Sequence, residues 1–142
     1  MQISSRFTIA LHILIAVETF QKQYRVSSSL LAKSIQVDPV IIRKILLQLK
    51  AAGFILVSRG RGGIFPAQKA DKITLLDIYR SIEPLEENKL FHFHENPNPQ
   101  CPVGKNIHNI LDDHLISVQK AMEDRLKKIK LSDVLSELNK FI

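Results

Sequence analysis

Cysteine is almost absent from this chain, and tryptophan is wholly so. The single cysteine, Cys101, cannot close an internal disulfide, so a disulfide-stapled secreted scaffold is excluded and the composition fits a reducing cytoplasm. Long apolar runs are missing too. Polar residues interrupt the most hydrophobic segment, Phe7 to Val17, which falls short of the roughly 18 residues that a bilayer span needs, and no membrane partner is expected. The polar opening Met1 to Ser5 is followed by no small-residue cleavage site, so no secretory leader is read there. Glycine is scarce as well, with five in the chain, which makes the cluster Gly60, Gly62 and Gly63 conspicuous.

Acidic residues are scarce in one half only. Residues 1–69 hold Arg6, Lys22, Arg25, Lys33, Arg43, Lys44, Lys50, Arg59, Arg61 and Lys69 against Glu18 and Asp38, a balance of +8. The remainder balances at −2 to complete the net charge of +6. A basic half joined to a mildly acidic one points to a polyanion partner for the first part and another task for the second. What the chain has in plenty is apolar material: 45% hydrophobic residues over 142 positions suffice for one small domain and an oligomerisation element.

The apolar spacing divides the chain into short helices. Ser4 or Ser5 caps a first helix through Phe7, Ala10, Leu11, Leu14 and Val17 to about Phe20, apolar nearly all round, with His12 read as a core histidine. Ser28 or Ser29 caps a second over Leu30 to Ile35. After a brief turn at Gln36-Val37, Asp38 caps a third helix with Pro39 at its first position, where the missing N–H costs nothing. That helix runs to Ala52 and stops at Gly53, a natural C-terminal cap. Two helices so closely spaced make a helix-turn-helix candidate. Phe54 to Ser58 then reads as a strand, Arg59 to Gly63 as a turn and Ile64-Phe65 as the returning strand, the glycines permitting the positive φ of a tight hairpin.

Further on, Thr74 with Asp77 resembles a capping box opening a helix through Ile78, Tyr79 and Ile82 that Pro84 ends. A proline-rich loop leads to a long helix over about 105–130, roughly 39 Å at 1.5 Å per residue. Ser132 caps a last short helix. The fold class is therefore mainly α with a small β-hairpin: a winged helix-turn-helix plus a long C-terminal dimerisation helix. The expected division is residues 1–84 as the DNA-binding domain, 85–104 as a sensor-like loop, and 105–142 as the dimerisation and C-terminal helices.

On a 100° wheel the third helix turns Ile42, Ile45, Leu46 and Leu49 to the core and Val40, Arg43, Lys44, Leu47 and Ala51 outward, with Gln48 and Lys50 at the margins. Val40 suits a thymine methyl, Arg43 a guanine O6/N7 edge and Gln48 an adenine; Arg43 and Lys44 serve phosphates equally well. Arg59 and Arg61 flank the glycine turn, in reach of a minor groove or its phosphates. Ser5, Arg6 and Ser28 sit near helix N-termini, where hydroxyl, amide and dipole suit a phosphate, and Asp38 and Pro39, at the start of the third helix, are counted among the DNA-binding positions. A nucleotide-binding loop is discounted, because Gly60-Arg61-Gly62-Gly63 lacks the Gly-Lys-Ser/Thr ending and opens no helix.

Laid out in this way, the chain resembles the Rrf-two family of bacterial winged-helix transcription regulators, in its YwnA-like, cluster-free branch. The likeness rests on Ile3-Ser4-Ser5-Arg6-Phe7, Ser29-Leu30-Leu31-Ala32, Asp38-Pro39-Val40-Ile41-Ile42-Arg43-Lys44-Ile45-Leu46, Ala52-Gly53-Phe54-Ile55 and Ser58-Arg59-Gly60-Arg61-Gly62-Gly63. It continues through Ile73-Thr74-Leu75-Leu76-Asp77-Ile78-Tyr79 and the loop from His94 to Gly104. It implies a homodimer built on the long helix, contacting a double-stranded operator from Val40, Arg43, Lys44, Arg59 and Arg61. Sensing members of the family carry three cysteines in the loop before the long helix. Only Cys101 stands here, too few thiolates for an iron–sulfur cluster, and neither cofactor nor metal is expected.

The expected activity is thus that of a cytoplasmic, sequence-specific DNA-binding regulator, acting as a repressor on a pseudo-palindromic site, and not an enzyme. Cys101, close before a helix N-terminus, is the candidate effector or redox position, for an oxidant, electrophile or other small molecule. The rival is a metal- or thiol-dependent sensor whose main ligand is not DNA, built from Cys101 with His92, His94, His108 and His114. Those residues show no standard ligand spacing.

Overall fold

The computed structural model describes residues 3–60, 62–83 and 90–142. Helix α1 (Ser5–Phe20) is capped by Ser4, whose Oγ accepts from the Arg6 amide at 3.1 Å. Three serines stand in succession at the start of α2 (Ser28–Ile35), and the cap is Ser27, accepting from the Leu30 amide at 3.1 Å, not Ser28 or Ser29 as expected. The chain leaves α2 through Gln36 in the left-handed region (φ 61) and enters α3 (Pro39–Ala51) at Asp38, which accepts from the Val40 amide at 2.7 Å.

Gly53 (φ +81) ends α3 in a Schellman arrangement: the Gly53 amide donates to Lys50 O and the Phe54 amide to Leu49 O, both at 3.0 Å. Because Phe54 closes that cap, strand β1 (Ile55–Ser58) starts one residue later than expected. It pairs antiparallel with β2 (Gly63–Pro66), Ile55 opposite Pro66 and Ser58 opposite Gly63. The positive φ falls on Gly60 and Gly63, and not on Gly62. At Gly63 a Cβ would lie 2.8 Å from Val26 O, so only glycine lets the wing lie against the segment leading into α2.

Beyond the wing, a short 3-10 turn at Ala70–Lys72, not foreseen, feeds α4 (Leu75–Ile82). Thr74 and Asp77 form the expected capping box, with reciprocal bonds of 3.1 and 3.0 Å. The helix-ending role assigned to Pro84 lies outside the described residues. Helix α5 (Pro102–Lys128) begins three residues earlier than expected, because Pro102 occupies its first position and Cys101 its N-cap; the proline opens the helix and does not belong to the loop.

At its far end the chain turns extended at Ile129, and α6 (Leu131–Leu138) follows. The cap there is Lys130, not Ser132. A long-range pairing sets this junction: Leu131 N donates to Ile73 O and Leu75 N to Ile129 O, both at 2.9 Å. One apolar core draws Ile13, Leu31, Ile42, Ile45, Leu49, Ile55, Ile73, Ile78 and Leu131 together from α1 to α4, the wing and α6. Helix α5 stays outside it: of its 27 residues only Gln119 is buried. His12 does not join the core either. It is exposed on α1, its Nε2 3.4 Å from Ser34 Oγ, because the flank of α1 facing α2 is open to solvent there.

Candidate nucleic-acid interface

The core fixes which side of α3 meets solvent. With Ile42, Ile45, Leu46 and Leu49 buried, Val40 (47% exposed), Arg43, Lys44 and Leu47 (67% exposed) face outward together. A leucine so exposed on a basic helix face is costly on a free surface and natural against base methyls or sugars.

The wing stands beside this face, and the two enclose a cleft of about 400 Å³ lined by Arg25, Ser28, Arg43, Leu47, Lys50 and Val57. Five positions expected at the DNA surface, Val40, Arg43, Lys44, Lys50 and Arg59, are therefore exposed on α3 or at the wing tip, and Ser28 lies at the cleft wall. Asp38 and Pro39 form the exposed start of α3, with Asp38 committed to the cap. Arg61 lies outside the described residues. Ser5 is exposed at the start of α1.

Gln48 is the exception. Its side chain turns to α1, where its Oε1 accepts from Arg6 Nη2 at 2.7 Å. Sequence reasoning missed Arg25, which belonged to no recognised motif. Its guanidinium donates to Gly60 O at the wing tip, while its side chain lines the cleft with Arg43 and Lys50. The signal that could have found it is its place one residue before the Val26 that carries the wing, since Ile64 N donates to Val26 O at 3.0 Å.

Residues 3–137 match the Rrf2 family model, described as iron-dependent transcriptional regulators. The chain belongs to the Rrf2 family.

Within that family it is 40% identical over 136 residues to YwnA of Bacillus subtilis, classed as an HTH-type transcriptional regulator, covering 96% of this chain and 98% of YwnA. Among solved structures, a protein classed as DNA-binding superposes with a TM-score of 0.71 at 33% identity, over 92% of this chain and 99% of the other. CymR, the global cysteine regulator of B. subtilis, shares the fold with a TM-score of 0.72 at 22% identity, over 96% and 98% of the two chains.

The family's iron dependence is tested by the donors available. An iron–sulfur cluster takes several thiolates, and the chain has one cysteine. Among the described residues no group of three or more His, Cys, Asp or Glu side chains is placed to hold a metal ion. His94 and His108 do approach, ring centres 5.5 Å apart, and His108 Nδ1 lies 3.0 Å from Asp112 Oδ1. The residues present do not fit a cluster.

Cys101 is half-buried at the N-terminus of α5, where the Gly104 and Val103 amides hold its thiol below the ordinary cysteine value. Gly104 also lets Asn98 lie against the start of α5, since a Cβ there would meet Asn98 O at 2.7 Å.

Proposed function

We propose that this Rrf2-family protein is a sequence-specific, double-stranded-DNA-binding transcription regulator that acts as a homodimeric repressor in the cytoplasm. The observation that carries the reading is the shared surface of α3 and the wing, where Arg25, Arg43 and Lys50 surround an apolar floor and Arg59 stands exposed at the wing tip. In this reading α3 enters the major groove, Val40, Arg43 and Leu47 meet base edges, and Lys44 and Lys50 contact phosphates. Ser5, Arg6, Ser28, Asp38 and Pro39 border the backbone, and the wing brings Arg59 and Arg61 to the adjacent groove. Residues 1–84 then bind DNA, and 105–142 supply dimer and C-terminal helices.

Helix α5 supports the dimer. Val103, Ile107, Leu111, Leu115 and Val118 form a stripe at four- and three-residue steps with Ile110 beside it, and Val103 is 64%, Ile110 60% and Val118 53% exposed in a single chain. Such a stripe is a coiled-coil-like seam in want of a second helix. Two copies joined there present two recognition helices about one DNA turn, roughly 34 Å, apart, which calls for a pseudo-palindromic site. The lowered thiol of Cys101, half-buried at the start of that helix, supports reading it as the effector position.

The deciding experiment is selection of binding sites from random double-stranded DNA, followed by affinity against salt. A pseudo-palindromic consensus bound with a steep negative salt slope is the expected result. Absence of any preferred sequence overturns the reading.

A further inference from the structure

We infer that Gln48 is not a base-reading residue but the positioning residue for Arg6, and that the pair forms a single backbone-contacting device on the side of α3 away from the wing. This rests on the DNA-binding reading above and assigns the two flanks of the recognition helix different work.

The two margins of the helix are not equivalent. Lys50, with Arg43 and Leu47, lines the cleft shared with the wing. Gln48 sits on the opposite margin and meets α1, where its Oε1 accepts from Arg6 Nη2 at 2.7 Å across 42 residues of sequence. The sense of that bond is fixed by chemistry, because a guanidinium has only donors and the amide must present its oxygen. Bidentate reading of adenine needs that same oxygen, turned to accept from N6, with Nε2 donating to N7. The oxygen has a second lone pair, so the conflict is one of direction: with the amide turned to Arg6 on α1, Gln48 does not present its Oε1 and Nε2 edge outward beside Arg43 and Leu47.

Arg6 is held, in turn, without being neutralised. It is half-buried in the first turn of α1, and among the described residues no carboxylate pairs with it. Its Nε is buried with no hydrogen-bond partner. The buried Nε is closed to an outside anion and leaves the Nη donors for one; a cation so fixed, with no carboxylate beside it among the described residues, is poorly explained as a contribution to stability. It is well explained as a fork set in advance for an anion. On this surface, beside Ser5 and the open end of α1, that anion is a DNA phosphate.

The test is a double-mutant cycle on the full chain, using the selected operator and an unrelated duplex, each titrated over a range of salt. Gln48→Met keeps the side chain's size and removes the acceptor; Arg6→Ala removes the cation. Arg6→Ala is expected to weaken binding to both duplexes by a similar factor and to lower the salt slope by about one. Gln48→Met is expected to move both quantities the same way, with base preference unchanged at every operator position. The double variant is expected to bind no more weakly than Arg6→Ala alone.

Gln48→Glu sharpens the cycle, because a carboxylate beside Arg6 neutralises the cation while keeping it in place; it should behave as Arg6→Ala does. Loss of preference at one A·T pair in Gln48→Met, with the salt slope intact, would return Gln48 to base reading and overturn the proposal. Additive effects of the two substitutions, or no effect of either, would overturn it as well. Failure of the wild type to prefer any sequence is a different result and strikes the DNA-binding reading itself. Unfolding curves of each variant separate these outcomes from simple loss of fold.

Discussion

The winged unit and helix α5 are built from similar apolar residues put to opposite uses. In α3, Ile42, Ile45 and Leu49 are fully buried within the chain's own core. In α5, Ile110, Leu111 and Val118 stand exposed, and the helix touches the rest of the chain chiefly through α4, with Arg80 Nη2 3.9 Å from Glu123. The polar residues are inverted too: the one buried side chain of α5 is Gln119, whose Oε1 accepts from the Leu90 amide at 2.8 Å. Apolar burial in the first region is complete within one chain; in the second, apolar side chains stay exposed. The charge contrast comes from the acids alone, since the twenty cations divide evenly between residues 1–69 and 70–142 while twelve of the fourteen acids lie in the second part.

The comparison breaks most violently at the core. Leu49→Ala empties a fully buried position and is expected to cost about 2–5 kcal/mol of stability, read from denaturant unfolding, whereas Val118→Ala in a single chain should cost far less. If the two cost the same in a monomeric sample, the contrast drawn here is wrong. Next in size, Ile110→Asp is expected to lower dimer affinity at least tenfold by placing a charge in the apolar seam. Sedimentation at micromolar concentration measures this, and an unchanged dimer would show that α5 pairs through another face.

On the DNA side, Arg43→Ala should cost about 1–3 kcal/mol at its cognate base pair and relax preference there, while Arg59→Ala weakens all sequences more evenly. Competition binding against single-base operator variants checks both. The smallest effect is chemical. Because the Gly104 and Val103 amides lower the Cys101 thiol, its thiolate forms at lower pH than that of a free cysteine. The rate of alkylation by iodoacetamide should therefore rise with pH through a midpoint below the ordinary cysteine value, and Gly104→Ala, which would push Asn98 away, should shift that midpoint. A midpoint at or above the ordinary value would remove Cys101 as the effector position.

Local signals in the sequence proved reliable. The Asp38-Pro39 start, the Gly53 stop and the Thr74–Asp77 box each depend on residues within a few positions of one another, so nothing distant could override them. Degenerate signals were harder: with serines at 27, 28 and 29, only the fold decides which one caps α2. Proline before α5 carried two meanings, loop or first helical turn, and the second holds. What sequence could not show was pairing between distant segments. Lys130 displaced Ser132 as a cap because 129–131 bonds to 73–75, and Gln48 turned from the groove because Arg6 reaches it from α1. His12 was misplaced for a related reason: an apolar neighbourhood along the helix says nothing of which flank a second helix leaves open.

The junction of Ile73–Leu75 with Ile129–Leu131 has a thermodynamic consequence. The chain leaves the winged unit and returns to it through backbone bonds made side by side, and Leu131 is buried in the same core as α1. Helix α5 is thus spliced into the winged unit and not hung from its end, which couples the two on heating. Heating should give one cooperative transition, and, once two copies share the α5 seam, its midpoint should climb with protein concentration by mass action. Whatever tightens the pairing of two chains must then also firm the surface that each offers to DNA.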